Sequence, residues 1–295
     1  MNPTAASQSL IHIRDLRISF RRHGAEPFEA VKGIDLDLQP GESMAIVGES
    51  GSGKSVTALS FARLLPEPPA KIEAAEFSVA GRDVLKLGGK ELRKMRGKDV
   101  AYVFQEPSTS LNPVLTVRTQ MAEALELHRP EVKNRDEEIV KWLYQVGIVE
   151  PEKRLRAYPH ELSGGMQQRV MIAMALCCQP KLLIADEPTT ALDVTIQKQI
   201  IDLLVSLKAS LGMSIILITH NFAIIRGIAD KVAVMFRGQI VESGPTEEVL
   251  GNPQHRYTQA LLDCVPRLGV KQSRLRAIDY TALDKIVGVD LTKAS

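Results

Sequence analysis

The sequence predicts an α/β fold: a mainly parallel sheet at the core, an antiparallel β subdomain beside it and a helical subdomain inserted into the chain. Three observations predict it. Short apolar runs, among them Met44-Ala45-Ile46-Val47, Leu182-Leu183-Ile184-Ala185 and Ile215-Ile216-Leu217-Ile218, alternate with helical patterns, as in βαβ units whose strands are buried on both faces. Residues 11–20 and 30–38 instead alternate apolar with polar side chains, the pattern of antiparallel strands near a sheet edge. From about 107 to 165 helical patterns follow one another with no intervening strand.

Composition narrows the function classes. At 295 residues the chain is long enough to bury a full core, and 44% hydrophobic with 24% charged residues is a globular balance. A net charge of +2 supplies no steering field for nucleic acid, so no nucleic-acid partner is expected. The three cysteines, Cys177, Cys178 and Cys264, have neither disulfide-framework nor zinc spacing, which fits a reducing compartment. No apolar run has the length to cross a bilayer, and the first ten residues, read as a flexible terminus, carry no signal-peptide pattern. The reading is therefore a soluble chain whose membrane role, if any, needs a partner.

Residues 11–20 and 30–38 read as paired strands joined by a polar loop, 21–29, before the turn at Pro40-Gly41. Phe20, and after it Phe28, is the ring best placed to stack on a purine; the alternative is ordinary core. Next comes Gly48-Glu49-Ser50-Gly51-Ser52-Gly53-Lys54-Ser55, between a buried strand and a helix that opens with Val56. This fits the phosphate-loop pattern in its required context. Glycines let backbone N–H groups turn inward, the helix points its positive end at the anion, Lys54 reaches the β- and γ-phosphates, and Ser55 ligates Mg²⁺. The helix is expected to run to about 65, where Pro66-Glu67-Pro68-Pro69 stops it.

Residues 75–82 read as a short strand and turn, and 86–98 as a basic, solvated helical face. The strand 100–104 ends at Gln105, where a doubly wound sheet puts ligand groups. Helices are expected at 117–127 and 135–147, the second carrying Trp142. Ser163 reads as the N-cap of a further helix, and its Ser163-Gly164-Gly165 entrance, followed by Gln167, leaves backbone N–H groups open to a second phosphate. The bland alternative is a well-capped helix.

Residues 181–188 read as a buried strand running into Asp186 and Glu187. Carboxylates ending an apolar strand need a compensating cation, and Mg²⁺ on Asp186 would supply it. Glu187, expected to point the other way because strand side chains alternate, could act on the attacking water. His220, just beyond the strand 215–218, is read as a γ-phosphate contact. A hairpin at 232–236 and 239–241 and helices at 246–251 and 257–265 close the domain, leaving 266–295 as an extension with no chemistry of its own.

Taken in order, these motifs resemble the ATP-binding cassette (ABC) ATPases over residues 10–265: GESGSGKS as Walker A, Gln105 as Q-loop, LSGGMQQR as signature, LLIADEP as Walker B, Ala191-Leu192-Asp193 as D-loop and His220 as switch histidine. The resemblance implies a P-loop NTPase-type core and a nucleotide-binding domain at 11–265. It also implies ATP and Mg²⁺ as cofactors, and a head-to-tail dimer with itself or a paralogue, one subunit's signature covering ATP on the other's Walker A. Phe20 then takes the adenine. Gly48, Glu49, Ser50, Gly51, Ser52, Gly53, Lys54, Ser55 and Val56 hold phosphate together with Ser163, Gly164, Gly165 and Gln167 from the facing subunit; Ser55, Gln105 and Asp186 surround the metal; Glu187, His220, Lys54 and Gln105 are catalytic.

Phe104-Gln105-Glu106-Pro107, Thr109-Ser110-Leu111-Asn112-Pro113 and His255-Arg256-Tyr257-Thr258 are similar to the oligopeptide and dipeptide importer subfamily, although Arg256 stands where proline is usual. That likeness implies peptide uptake at the cytoplasmic membrane face, with membrane permeases and, indirectly, a periplasmic or extracellular solute-binding protein. Nickel or glutathione importers, an exporter, and a soluble cassette of DNA repair or translation are the alternatives.

Overall fold

The computed structural model describes residues 9–22, 24–190 and 192–264. Residues 1–8, His23, Ala191 of the expected D-loop, and everything from 265 onward, with it the expected extension 266–295, lie outside the described residues. In chain order the elements are β1 (Ile11–Arg22), β2 (Ala25–Leu38), β3 (Ser43–Val47), α1 (Lys54–Ser60), β4 (Ala70–Glu73), β5 (Glu76–Val79) and β6 (Arg82–Asp83), then α2 (Gly89–Lys98), β7 (Val100–Val103) and α3 (Pro107–Ser110). They continue with α4 (Val117–His128), α5 (Arg135–Gln145), α6 (Pro151–Arg154), α7 (Gly164–Leu176), β8 (Leu182–Asp186), α8 (Val194–Leu211), β9 (Ser214–Thr219), β10 (Lys231–Phe236), β11 (Gln239–Pro245), α9 (Thr246–Gly251) and α10 (Arg256–Asp263). Among the described residues no helix is long and apolar enough to cross a membrane.

Six strands form one sheet in the order β11-β10-β3-β9-β8-β7, parallel except for the β10–β11 hairpin. Their apolar runs are buried on both faces, and strand alternation divides them between two cores. Ala45, Val47, Ala185 and Leu217 face a helical layer that includes Trp142, Val170, Leu176 and Leu204. Met44, Ile46, Ile184 and Ile218 face the opposite way, onto Phe61 and onto Leu16, Ile18 and Val31 of the second sheet. That second sheet runs β2-β1-β5-β6, with β4 also pairing β1, so β1 is internal and β2 forms an edge.

Two local expectations are corrected. The polar stretch 21–29 is no loop: β1 runs to Arg22 and β2 begins at Ala25, with Phe20 opposite Phe28 and Ser19 opposite Glu29. Cross-strand pairing suffices to extend a hairpin whose tip is solvated on both faces, and such a tip reads as loop because it buries little. Helix α1 also stops early, at Ser60, because the chain turns at Arg63 with φ +46° before the proline cluster is reached.

The helical layer between α3 and α7 holds no strand. Val117, Met121 and Leu125 recur every four residues along α4 and are all buried, the period that seats one helix face on a neighbour. Helix α2 buries Leu92 and Met95 and exposes Lys90, Arg93 and Lys94, whereas Arg96 turns inward and caps the end of the Phe61–Arg63 turn through the Ala62 carbonyl at 2.9 Å.

Candidate active site

Parallel pairing in register brings the carboxyl ends of β3, β7, β8 and β9 to one edge of the sheet. The segments that leave those ends carry Gly48, Gln105, Asp186-Glu187 and His220 respectively. Beyond β3 the chain closes tightly. Gly48 has φ +149°, and a Cβ there would lie 2.1 Å from the Met235 carbonyl oxygen; at Gly53, φ +105°, it would lie 2.7 Å from that of Ala30. Any side chain at either position would push the loop away from β10 and β2.

Lys54 is buried at 6% exposure, its ammonium donating to the carbonyls of Gly48 (2.8 Å) and Glu49 (2.6 Å) and more weakly to Ser52 Oγ (3.5 Å). Burial lowers its pKa, against the opposing pull of Glu187, Asp186 and Glu49. Asp186 ends β8. Burial raises its carboxyl pKa, the charge of Glu187 adds to the rise, and a hydrogen bond with Ser55 and the charge of Lys54 oppose it. Its Oδ1 is buried with no hydrogen-bond partner. A buried carboxylate oxygen left bare beside a serine hydroxyl is the donor pair that Mg²⁺ takes when phosphates and waters complete its shell. Among the described residues no group of three or more His, Cys, Asp or Glu could hold a metal by itself, so a cation here would depend on such outside ligands.

Glu187 is aimed by its backbone rather than by strand alternation. The strand ends at Asp186, and Glu187 has φ +46°, a left-handed conformation that non-glycine residues rarely adopt. Its N–H donates to the Ile218 carbonyl at 2.9 Å, tying it to β9. Three side chains then hold the carboxylate: Oε1 meets His220 Nδ1 at 3.1 Å, while Oε2 accepts from Gln105 Nε2 at 3.1 Å and from Thr190 Oγ1 at 2.8 Å. Burial raises its pKa, but the hydrogen bonds of His220 and Thr190 and the charges of His220 and Lys54 outweigh it and hold the group below the ordinary glutamate value.

One cavity of about 580 Å³ gathers Phe20, Phe28, Ser50, Gly51, Gly53, Lys54, Ser55, Val56, Gln105, Glu187 and His220. Thr190 and Ala30 also line it and were missed in the sequence; the Glu187-Pro188-Thr189-Thr190 spacing could have signalled Thr190 as a partner of Glu187. Gly48 and Asp186 lie behind that lining, within the loop and the strand end. Ser163, Gly164, Gly165 and Gln167 line no part of it. Ser163 caps α7 by accepting from the Met166 N–H at 3.4 Å, and Gln167 Nε2 donates to the carbonyls of Pro159 (2.9 Å) and Leu162 (3.1 Å). A larger cavity, about 660 Å³ beside Phe222, Arg226 and Leu262, contains none of these groups, so chemistry rather than size selects the site.

A family profile described as ABC transporter matches residues 31–190, more than half of the chain. The chain belongs to the ABC transporter family. A second profile, described as oligopeptide/dipeptide transporter, C-terminal region, matches residues 241–285. Among curated relatives, the peptidoglycan transport ATP-binding protein YejF of Agrobacterium fabrum is 54% identical over 88% of this chain, which spans only 48% of that protein's length. The oligopeptide transport ATP-binding protein OppD of Bacillus subtilis is 48% identical over 93% of this chain and 77% of its own length. The ATP-binding cassette MJ0796, solved as a dimer in a post-hydrolysis state bound to ADP and phosphate, superposes with a TM-score of 0.71 at 27% identity, covering 80% of this chain and 98% of MJ0796. The mixed α/β architecture is that of the P-loop NTPase fold, and the chain is an ABC-type ATPase.

Proposed function

We infer that this chain is the ATP-hydrolysing subunit of a peptide importer, working at the cytoplasmic face of the membrane with partner permeases that receive solute from a binding protein outside. Support for the solute class comes from the oligopeptide/dipeptide C-terminal region and from the transport roles in the relatives' names. Support for hydrolysis comes above all from one observation: Glu187 is held by Gln105, Thr190 and His220 in the cavity that Lys54 and Ser55 also line.

ATP enters with its adenine against Phe20 and its phosphates over the loop from Gly48 to Val56. Lys54 already engages two carbonyls, and its third proton, given only weakly to Ser52 Oγ, and its charge go to the β- and γ-phosphates. Ser55 and Asp186, with Gln105, would hold Mg²⁺, which would supply neutralisation of the phosphate charge. Glu187, kept ionised by its partners, accepts a proton from an attacking water, and His220 contacts the γ-phosphate. The bond between the β–γ bridging oxygen and the γ-phosphorus then breaks, giving ADP and phosphate. A second subunit brings Ser163, Gly164, Gly165 and Gln167 across the cavity. That pairing gives the second helix entrance a ligand, and the dimeric form of MJ0796 supports it. Replacing Glu187 by Gln keeps the hydrogen-bonding shape and removes the basic oxygen. ATP turnover in the reconstituted transporter should fall about 10²- to 10⁴-fold while MgATP binding persists; turnover near wild type would remove Glu187 from its role.

A further inference from the structure

Tyr257 lies in the C-terminal region, 208 residues from Glu49 in sequence, yet its hydroxyl accepts the Glu49 backbone N–H at 3.1 Å. The tyrosine is fully buried, and its ring lies 4.3 Å, centroid to centroid, from that of Phe236 at the end of β10. The same Gly48–Glu49 peptide is gripped at its other end, where the Gly48 carbonyl accepts the Lys54 ammonium at 2.8 Å. One peptide of the phosphate loop is thus held from both sides, by the lysine that meets phosphate and by a residue of α10.

The placement of α10 is itself built. Both oxygens of the Glu242 carboxylate, on β11, accept the N–H groups of Gln254 (2.7 Å) and His255 (3.1 Å), and His255 Nδ1 caps the helix by accepting from the Tyr257 N–H at 3.2 Å. The profile match divides at the same place: Glu49 falls within the ABC transporter match, and Tyr257 within the oligopeptide/dipeptide C-terminal match. We propose that Tyr257 is a positioning residue through which the C-terminal region sets the conformation of the nucleotide loop, and with it the affinity for ATP. The proposal rests on the loop being the ATP site, as argued above.

The physical reason is preorganisation. A loop whose N–H groups must converge on phosphate loses conformational entropy on binding unless it is already held, and each restraint applied beforehand lowers that cost. Tyr257 acts on the Gly48–Glu49 peptide, where the chain makes its closest approach to β10, so loosening it lets the loop and the Lys54 anchor move together. It touches neither phosphate nor water in this scheme, so its effect belongs in binding rather than in the chemical step.

Tyr257→Phe keeps the ring on Phe236 and deletes the hydroxyl that accepts the Glu49 N–H. In the full chain without nucleotide, amide hydrogen exchange of the segment containing Glu49 should speed up, and the dissociation constant for MgATP should rise about three- to tenfold, the range for one lost hydrogen bond. In the assembled transporter the ATP KM should rise by a similar factor with kcat within about twofold. Tyr144→Phe, on an exposed ring of α5, is the control and should change neither exchange nor affinity. Wild-type exchange at Glu49 in Tyr257→Phe would overturn the proposal, as would faster exchange with unchanged affinity, or a fall in kcat with unchanged KM. A wild-type chain that failed to bind MgATP would sink the ATP reading itself. The two failures are distinguishable because exchange at Glu49 needs no nucleotide.

Discussion

Helices α1 and α7 both begin at a small, glycine-containing entrance, and of these two entrances the one at α1 is furnished for chemistry. At α1 the loop is pinned by β10 and β2, its lysine is buried, and carboxylates from β8 and its following residue stand across from it. At α7 the Ser163 side chain caps the helix, Gln167 is spent on nearby carbonyls, and a Cβ added to Gly164 would meet nothing within 4 Å. The difference teaches that open backbone N–H groups do not make a working phosphate site alone. The first entrance carries its own counter-charges; the second, in the proposed pairing, takes the nucleotide that another subunit holds.

The harshest way to break that comparison is to strip the first entrance of its cation. Lys54→Ala leaves the Gly48 and Glu49 carbonyls without their shared donor and leaves Asp186 and Glu187 facing phosphate with no ammonium between them. Affinity for MgATP should fall about 100-fold, the upper range for a lost charge-assisted hydrogen bond, as read by calorimetric titration. Retained affinity would mean that the loop amides suffice, making the two entrances more alike than their surroundings suggest.

A sharper test acts on the second entrance. Gly164→Asp fits the open space there and would set a carboxylate against the phosphates of the facing subunit. In an isolated monomer the MgATP dissociation constant should stay at the wild-type value, while turnover by the assembled dimer should fall at least about tenfold, equivalent to about 1.4 kcal/mol of repulsion. Equal loss in both assays would contradict the shared-site reading, because it would put the defect within one chain.

How much of this could be read from sequence follows from where the information lies. Walker A, the buried strands and the acidic end of β8 were legible because each is local: apolar runs mark strands buried on both faces, and a left-handed turn demands glycine. Phe20 and Phe28, the two rings the sequence offers to a purine, both line the cavity, although the hairpin that carries them is longer than its pattern suggests, since a solvated tip offers no hydrophobic period. The aim of Glu187 was not legible, as it depends on a positive φ and on a hydrogen bond to β9 that no pattern of residue types encodes. The contact between Tyr257 and Glu49 was equally invisible, because a fold-made meeting across so much sequence leaves no local trace.

The smallest expected effect sharpens the comparison from outside it, in the sheet that carries Phe20. His12 on β1 bridges its neighbours, Nδ1 meeting Asp37 on β2 at 2.7 Å and Nε2 meeting Glu76 on β5 at 2.8 Å. Those two hydrogen bonds raise its pKa above the ordinary 6.5, against burial and the charge of Arg14. A raised pKa stabilises the folded state fully below the unfolded value and loses that contribution as pH climbs through the folded value. For Asp37 burial works upward, but Arg14 and His12 hold its pKa below 3.8, so its contribution is present above that value and disappears only in acid. Raising the pH from 6 to 8 should therefore lower the thermal midpoint of the wild-type chain by more than that of His12→Gln. The gap should be no more than a few degrees, since these groups are partly exposed and screened by solvent. MgATP affinity should not follow this change: His12 does not line the nucleotide cavity, and parallel loss of affinity would show that the β1–β2 sheet positions the base more tightly than the loop does.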